Sequence, residues 1–167
     1  ECEVPVVAAV NGFCVGGGMT MLFSTDIRVA SEHATFGLAE VKRGIIAGNG
    51  GTQRTLQQLP WCIGMEMLLT GDFIDAQTAQ AQGLVNRVVA APSLDVELDK
   101  LVTAILQKPQ TAVRMGKAML YRQREMGLEA AYQLAGQTMA LNMMDADAQE
   151  GAQAFAEKRL PAWRHQS

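Results

Sequence analysis

The chain has 167 residues, a net charge of −3 and a hydrophobic fraction of 49%, with aromatic residues at only 5%. This length accommodates one domain with a hydrophobic core, and without a basic tract we expect no nucleic-acid partner. No apolar run reaches the about 18 residues of a membrane span. Three cysteines without a CxxC pair indicate reduced thiols in a cytoplasmic compartment. With only His33 and His165 available, we expect no metal site.

The first half of the chain alternates predicted strands with predicted helices. Apolar runs predict strands at residues 6–10, 26–30, 35–37 and 84–89, and helices at residues 17–24, 52–59, 63–69 and 76–82. Asp75 is the expected N-cap of the last of these helices. The first strand is apolar throughout, as in parallel sheets that are covered on both faces. Because its neighbours are hard to find later in the sequence, we expect the chain to begin in the middle of a larger fold.

A change in composition after Pro92 divides the chain into two predicted parts. Residues 1–91 hold the strands, whereas residues 92–167 are predicted to be helical, with breaks at Pro109, Gly127, Asp145 and Pro161. Methionine is frequent in this second part, at Met115, Met119, Met126, Met139, Met143 and Met144. Such side chains are typical of an adaptable core or a subunit interface rather than a cofactor site.

Three adjacent glycines, Gly16, Gly17 and Gly18, follow the first predicted strand and lead into the first predicted helix. Consecutive glycines lose much backbone entropy on folding and add no side-chain packing. They suit a place where backbone N–H groups must approach a ligand, such as an anion or an oxygen that becomes negative during a reaction. A tight turn against a packed neighbour is the alternative interpretation.

Four long segments occur in a characteristic order. They are PVVAAVNGFCVGGGMTM, DIRVASEHATFGLAEVKRGIIAGNGGTQR, LLTGDFIDAQTAQAQGLVNRVV and DADAQEGAQAFAEKRLPAW. Together they resemble the crotonase superfamily, also called the enoyl-CoA hydratase/isomerase family, over nearly the whole chain. The resemblance implies an α/β fold with a crotonase-like ββα spiral core, followed by a C-terminal helical region that trimerises. It covers only the C-terminal portion of the family fold, since the N-terminal strands have no counterpart in this sequence.

The resemblance also implies a chemistry. Members of the family bind acyl-CoA thioesters, and two backbone N–H groups hold the thioester oxygen while enolate-like charge develops on it. Gly17 matches the second of these donors, with Gly16, Gly18 and Thr20 as the expected substrate contacts beside it. The loop that carries the first donor has no counterpart here. Coenzyme A enters as part of the substrate, so we expect no separate cofactor.

Hydratases of the family use two glutamates, of which this sequence keeps one. The first position is occupied by Thr20, and the second, in the segment FGLAE, by Glu40. Water addition needs one group to deprotonate water and another to handle the α-proton, and a threonine hydroxyl is no strong base near pH 7. A single carboxylate can instead move a proton between two carbons, as the isomerases do. A solvated loop carboxylate is the alternative for Glu40, but the flanking motif favours catalysis.

Two further matches concern capping and coenzyme A. Gln53 and Arg54 follow the family pattern and are interpreted as structural capping residues first and substrate contacts second. Phe155 and Lys158 fall where the family packs an aromatic ring on adenine and places an ammonium near a phosphate. On a helix, Phe155, Lys158 and Arg159 have the i, i+3, i+4 spacing that places a ring and two charges on adjacent faces. An ordinary amphipathic terminal helix is the alternative.

Three functions are compatible with these residues. The favoured one is double-bond isomerisation of an enoyl-CoA, with Glu40 as general acid/base. The second is an enoyl-CoA hydratase or related lyase that holds its water in another way. The third is an inactive fragment that binds acyl-CoA or serves as an oligomeric scaffold. The resemblance implies a homotrimer or hexamer, and the expected location is the cytoplasm, with an organelle matrix as the alternative. A fold does not by itself fix a reaction.

Overall fold

The computed structural model describes residues 2–164 and divides them into two compact units. One unit is Val6–Leu101, and the other combines residues 2–5 with residues 102–164. His33 lies in the first unit, whereas His165 falls outside the described residues. The mixed α/β architecture expected from the sequence is confirmed. Within the described part of the chain, no helix is both long enough and apolar enough to cross a bilayer.

The first sheet of the Val6–Leu101 unit is parallel. Strand β1 (Val7–Val10) pairs with β3 (Ile27–Ser31), which pairs with β6 (Arg87–Val89). The register aligns Val7 with Ile27 and Val10 with Ala30. The expectation that β1 has no partner in this sequence is therefore wrong for one of its edges. Sequence periodicity identifies strands but not which strands pair, because pairing is decided by the path of the chain between them.

The second sheet contains two strands that the sequence pattern did not reveal. Strand β2 (Phe13–Val15) pairs in parallel with β4 (Thr35–Gly37), which pairs in antiparallel fashion with β5 (Ile74–Asp75). Strand β2 is three residues long and lies between the Asn11-Gly12 pair and the glycine run, and β5 has two residues. Segments this short give no periodic signal.

Short helices connect these strands. They are α1 (Gly17–Leu22), α2 (Gly51–Gln58), α3 (Trp61–Thr70) and α4 (Ala76–Ala81). The predicted cap of α4 is confirmed, because Asp75 Oδ1 accepts a hydrogen bond from the backbone N–H of Thr78 at 2.7 Å. The predicted loop at residues 38–51 contains a 3-10 helix, Glu40–Arg43. Another 3-10 helix, Ala91–Ser93, precedes α5 (Leu94–Leu106).

The hydrophobic core of the Val6–Leu101 unit is continuous. Its largest fully buried apolar side chains are Met19, Phe23, Phe36, Leu38 and Met67. They come from α1, β4, α3 and the segments beside them, so burial of these side chains fixes α1 against the second sheet. The unit therefore has a rigid interior close to the glycine run.

A buried arginine links several elements of the same unit. Arg28 on β3 donates to the carbonyl oxygen of Leu84 at 3.0 Å and to that of Thr25 at 3.1 Å. It also donates to Gln58 Oε1 at 2.6 Å. A buried cation is tolerated only when its donors are satisfied, and these bonds tie β3 to α2 and to the segment before β6.

The other unit is helical and has little interior of its own. It contains α6 (Gln110–Gln123), α7 (Leu128–Met143) and α8 (Ala146–Glu157). Among its described residues, only Asp147 and Ala154 are buried. The predicted breaks are confirmed at Pro109, Gly127 and Asp145, which are the N-cap residues of α6, α7 and α8.

Methionines of the helical unit lie largely at its surface. Met126, Met139, Met143 and Met144 are exposed, whereas Met115 and Met119 are half-buried. The exposed four are not part of a core within this unit. The interpretation as an adaptable core therefore does not hold for these four side chains.

Candidate active site

The glycine run forms a sharp turn at the end of β2. Gly16 has φ 54° and ψ −118°, a backbone conformation that is essentially restricted to glycine. Its N–H donates to the carbonyl oxygen of Gly37 at 3.0 Å, which extends the pairing of β2 with β4. Gly16 is also the N-cap of α1, and it has no side chain to accept from the first N–H groups of that helix. The N–H groups that begin with Gly17 therefore start α1 without a side-chain cap.

Glu40 reaches this turn from the neighbouring strand. Because β2 and β4 are parallel, the residues that follow Val15 and Gly37 emerge at the same edge of the sheet. Glu40 is the first residue of the 3-10 helix after β4. Its Oε1 atom lies 3.5 Å from the position that a Cβ on Gly16 would occupy. The structure thus brings the predicted carboxylate and the glycine turn together.

One oxygen of Glu40 is buried without a hydrogen-bond partner. Within the described residues, nothing donates to Oε2, although it is shielded from solvent. Leaving a buried polar group unsatisfied costs about 1–3 kcal/mol, and such groups in folded proteins require an explanation. The atom is thus an acceptor without a donor among the described residues, on a side chain that lies beside the turn.

Thr20 lies one turn into α1 from Gly17. Its hydroxyl donates to the carbonyl oxygen of Gly17 at 2.8 Å, and its methyl group lies 3.5 Å from the position of a Cβ on Gly51. The hydroxyl proton is therefore used locally, in the back-bonding pattern common for threonine in helices. The side chain is half-buried.

The far end of α1 is held by α2. Arg54 donates through Nη1 to Ser24 Oγ at 2.7 Å and to the carbonyl oxygen of Phe23 at 3.3 Å. Gln58 Nε2 donates to the same carbonyl at 2.9 Å. These contacts satisfy the carbonyl oxygen of Phe23, the C-cap residue of α1, so the structure supports the capping interpretation of Arg54.

The segment that carries Glu40 is fixed by contacts that the sequence reasoning missed. The Phe73 ring occupies the space that a Cβ on Gly37 would need, so a side chain at this position would have to displace the ring. Lys42 Nζ bonds to Asp72 Oδ1 at 2.6 Å and lies 5.8 Å from the centroid of the Phe73 ring. The Lys42 ammonium lowers the pKa of Asp72 through this hydrogen bond. In the sequence, only the TGDF segment, which is part of the family resemblance, pointed to these contacts.

Cys14 lies next to the turn but is unsuited to nucleophilic chemistry. It is buried, and its Sγ atom lies 3.8 Å from the position of a Cβ on Gly18. Burial raises the pKa of the Cys14 thiol to about 11, and Arg28 opposes this only in part. A thiol with this pKa is protonated near neutral pH, so it is a packing residue.

The predicted coenzyme A residues lie in the other unit, at the end of α8. Phe155 is 87% exposed, and Lys158 follows the helix with φ 56° and ψ 38°. Helix α8 ends at Glu157, so the expectation that a helix carries Phe155, Lys158 and Arg159 at i, i+3, i+4 is wrong. Lys158 N–H bonds to the Phe155 carbonyl and Arg159 N–H to the Ala154 carbonyl, which is the Schellman pattern of helix termination.

Residues 2–164 hold no group of three or more histidine, cysteine, aspartate or glutamate side chains arranged to bind a metal ion. The candidate site brings together a carboxylate, backbone N–H groups and a hydroxyl.

Comparison with known proteins identifies the family. Residues 1–166 match the sequence model of the enoyl-CoA hydratase/isomerase family. The chain belongs to this family. It is 40% identical to crotonyl-CoA hydratase of Syntrophomonas wolfei over 157 residues, covering 94% of this chain and 60% of the relative. It is 36% identical to a probable mitochondrial enoyl-CoA hydratase of Dictyostelium discoideum over 161 residues, covering 96% of this chain and 58% of the relative.

Solved structures confirm the crotonase fold. The crystal structure of an enoyl-CoA hydratase from Mycobacterium smegmatis superimposes with a TM-score of 0.93 at 42% identity, covering 96% of this chain and 62% of that one. The resemblance to the crotonase superfamily noted in the sequence is thereby confirmed. The chain spans about three fifths of the length of these family members.

Proposed function

We propose that the chain is part of an acyl-CoA enzyme in which Glu40 transfers protons to and from the acyl group. The observation that carries the proposal is the position of the Glu40 carboxylate beside Gly16, with Oε2 buried and unsatisfied within the described residues. Gly17 is proposed as a backbone donor to the thioester oxygen, with Gly16, Gly18 and Thr20 as neighbouring substrate contacts. Metal and redox cofactors have no role in this scheme, and coenzyme A belongs to the substrate.

Double-bond migration is the favoured reaction. Glu40 removes a proton from C2 of a 3-enoyl-CoA, and the electron pair of that C–H bond becomes delocalised onto the thioester oxygen. The Gly17 N–H stabilises the resulting negative charge. Glu40 then returns the proton to C4, so the double bond moves from C3–C4 to C2–C3 and the carboxylate is regenerated. One carboxylate suffices for both transfers.

Hydration is the second candidate, and a specific observation favours it. The relatives from Syntrophomonas wolfei and Dictyostelium discoideum are both named hydratases. Against it stands Thr20, whose hydroxyl is bonded back to Gly17 and cannot act as the carboxylate that hydratases place there. A hydratase or lyase of this sequence must hold its water through another group. An inactive acyl-CoA-binding scaffold remains the third candidate.

We also propose that Phe155 and Lys158 contact the coenzyme A portion. Phe155 is exposed almost completely, as a ring that stacks on adenine must be. Lys158 offers an exposed ammonium three residues further along the chain. The ammonium is suited to a phosphate group as a point charge.

Assembly into a trimer or hexamer is proposed from the surface of the helical unit. Leu128, Tyr132, Met139 and Met143 share one side of α7 at helical spacing and are all exposed. Contiguous apolar surface of this kind marks an interaction site. The favoured compartment is the cytoplasm, although the relative from Dictyostelium discoideum is named mitochondrial.

The decisive experiment removes the base and keeps its shape. In the full-length protein, Glu40→Gln should slow exchange of the acyl-CoA α-protons with D2O by about 10²–10⁴-fold, as followed by NMR. Glu32→Gln, which changes an exposed glutamate of the same unit, is the matched control and should leave the rate unchanged. Unchanged exchange in Glu40→Gln refutes the assignment of the base.

Rates measured with two substrates distinguish double-bond migration from hydration. The wild-type protein is expected to move the double bond of a 3-enoyl-CoA faster than it adds water to crotonyl-CoA, and Thr20→Glu should raise the hydration rate. Fast hydration with slow migration would show that the single-carboxylate argument is wrong and that the hydratase candidate is correct.

A further inference from the structure

The chain that follows α8 turns back and is attached to that helix. Arg159 forms a two-pronged ion pair with Glu150, in which Nη1 lies 2.5 Å from Oε1 and Nη2 lies 2.9 Å from Oε2. Glu150 Oε1 also accepts from the backbone N–H of Ala162 at 2.8 Å. Trp163 Cη2 lies 3.3 Å from the position of a Cβ on Gly151. We call residues 159–164 the C-terminal strap.

The outer end of the strap is held at the start of α8. The Arg164 N–H bonds to Asp147 Oδ1 at 3.0 Å. Arg164 Nη2 lies 2.8 Å and 2.7 Å from the two carboxylate oxygens of Asp145. The strap is therefore attached along the length of α8, and its path fixes the direction in which the chain must leave the helix.

Lys158 is the residue that makes this reversal. Its φ of 56° places it in the left-handed region, which glycine normally occupies at this position of a helix end. A lysine stays there only when its surroundings determine the conformation. Helix α8 fixes the residue on one side, and the Arg159–Glu150 pair anchors the chain immediately on the other.

Arg159 also forms ion pairs with Glu157 and Glu150, the two carboxylates nearest to Lys158 in the sequence. Its Nε atom bonds to Glu157 Oε2 at 2.6 Å, and Gln153 donates to the other oxygen of Glu157 at 2.8 Å. The Lys158 ammonium has no hydrogen bond or ion pair among residues 2–164. Two carboxylates that could capture the ammonium are thus already paired with a guanidinium that matches them better.

We propose that Arg159 is a positioning residue: held by Glu150, it keeps Lys158 in the left-handed conformation and leaves the Lys158 ammonium free for a phosphate-bearing ligand. This inference rests on the proposed function, in which that ligand is the coenzyme A portion of the substrate. Arg159 itself does not contact the ligand. A lysine rather than a glycine at this strained position is explained by its ammonium, which glycine lacks.

A double-mutant cycle tests whether Arg159 acts through Lys158. Binding of coenzyme A to the full-length protein is measured by calorimetry for Lys158→Ala, Arg159→Ala and the combined variant. Arg159→Ala should weaken binding about tenfold, and the combined variant should bind no more weakly than Lys158→Ala alone. Arg87→Ala removes a comparable surface pair with Glu97 and is the control, for which we expect an unchanged Kd. Additive losses in the combined variant overturn the inference.

A second measurement needs no ligand. The backbone ¹³C resonances of Lys158 report the sign of φ, and they should move away from left-handed values in Arg159→Ala and in Glu150→Gln. Arg159→Lys keeps the charge but not the two-pronged geometry, so its Lys158 resonances should lie between those of the wild type and those of Arg159→Ala. Unchanged Lys158 resonances in both variants overturn the inference. Wild-type coenzyme A binding by Lys158→Ala instead refutes the proposed coenzyme A contact, while the resonances still decide the role of Arg159.

Discussion

The two units of the chain differ in what they do with their apolar side chains. The Val6–Leu101 unit encloses Phe23 and Phe36 completely, whereas the helical unit leaves Tyr132 and Met139 in solvent. Burial of apolar surface contributes about 25 cal/mol per Å², so only the first unit has a large stabilising interior of its own. The difference shows that the unit with Glu40 is specified by its own core, whereas the described helical unit leaves much of its apolar surface uncovered.

The largest effect is expected from truncating the core. Phe36→Ala removes a fully buried ring and should lower the free energy of unfolding by about 3–5 kcal/mol. Tyr132→Ala removes a ring that is 70% exposed, and in the isolated chain it should cost less than about 0.5 kcal/mol. Urea denaturation followed by circular dichroism measures both. Similar losses for the two variants would contradict the comparison between the units.

The next largest effect is expected on assembly through the apolar surface of α7. If α7 forms the proposed subunit interface, Tyr132→Ser combined with Met139→Ser should weaken assembly by at least about tenfold, roughly 1.4 kcal/mol. Sedimentation velocity over a range of protein concentrations measures this change. Val96→Ser, which alters an exposed apolar residue on α5, is the control. Assembly that is insensitive to the α7 changes would assign the interface to another surface.

A smaller effect tests the strained helix end. Lys158→Gly should raise the free energy of unfolding by about 1 kcal/mol, because glycine adopts positive φ without the cost that lysine incurs. Asn49→Gly is the matched control, since Asn49 also has positive φ but asparagine tolerates that region. We expect a smaller gain there. Thermal unfolding measures both, and a destabilised Lys158→Gly protein would show that the lysine is not strained.

The smallest effect is a dependence on pH in the strap. Hydrogen bonds from Arg159 and from the backbone of Ala162 lower the pKa of Glu150 from 4.5 to about 2. Because the pKa of Glu150 is lower in the folded protein, the ionised carboxylate stabilises the fold above pH 4.5, and this stabilisation is lost as the pH falls towards 2. Because these groups are at the surface, salt should weaken the effect.

Trp163 gives a local measurement of that loss. Its ring lies on Gly151, so its fluorescence in a Trp61→Phe background should change as the strap loosens between about pH 4.5 and 2. Glu150→Gln should show little of this pH dependence. A wild-type transition that survives unchanged in Glu150→Gln would assign the titration to another carboxyl group.

Much of this protein could be predicted from patterns that are local in sequence. The helix breaks at Pro109, Gly127 and Asp145 and the cap at Asp75 follow from properties of single residues, and all of them are confirmed. Glu40 and the glycine run were identified because long motifs resemble a known family. From composition and periodicity alone, the glycine run could equally be a tight turn, and Glu40 could be a solvated loop carboxylate.

The tertiary structure alone decided which residues distant in the chain lie next to one another. The pairing of β1 with β3 and of β2 with β4, the position of Glu40 beside Gly16, and the packing of Phe73 against Gly37 all depend on how separate segments meet. The sequence by itself determined most of the helices and longer strands, the N-cap at Asp75 and the breaks before α6, α7 and α8, and its family motifs pointed to Glu40. Local preferences act within a few residues, whereas the position of a carboxylate beside a backbone turn is set by the register of two strands and the core beneath them.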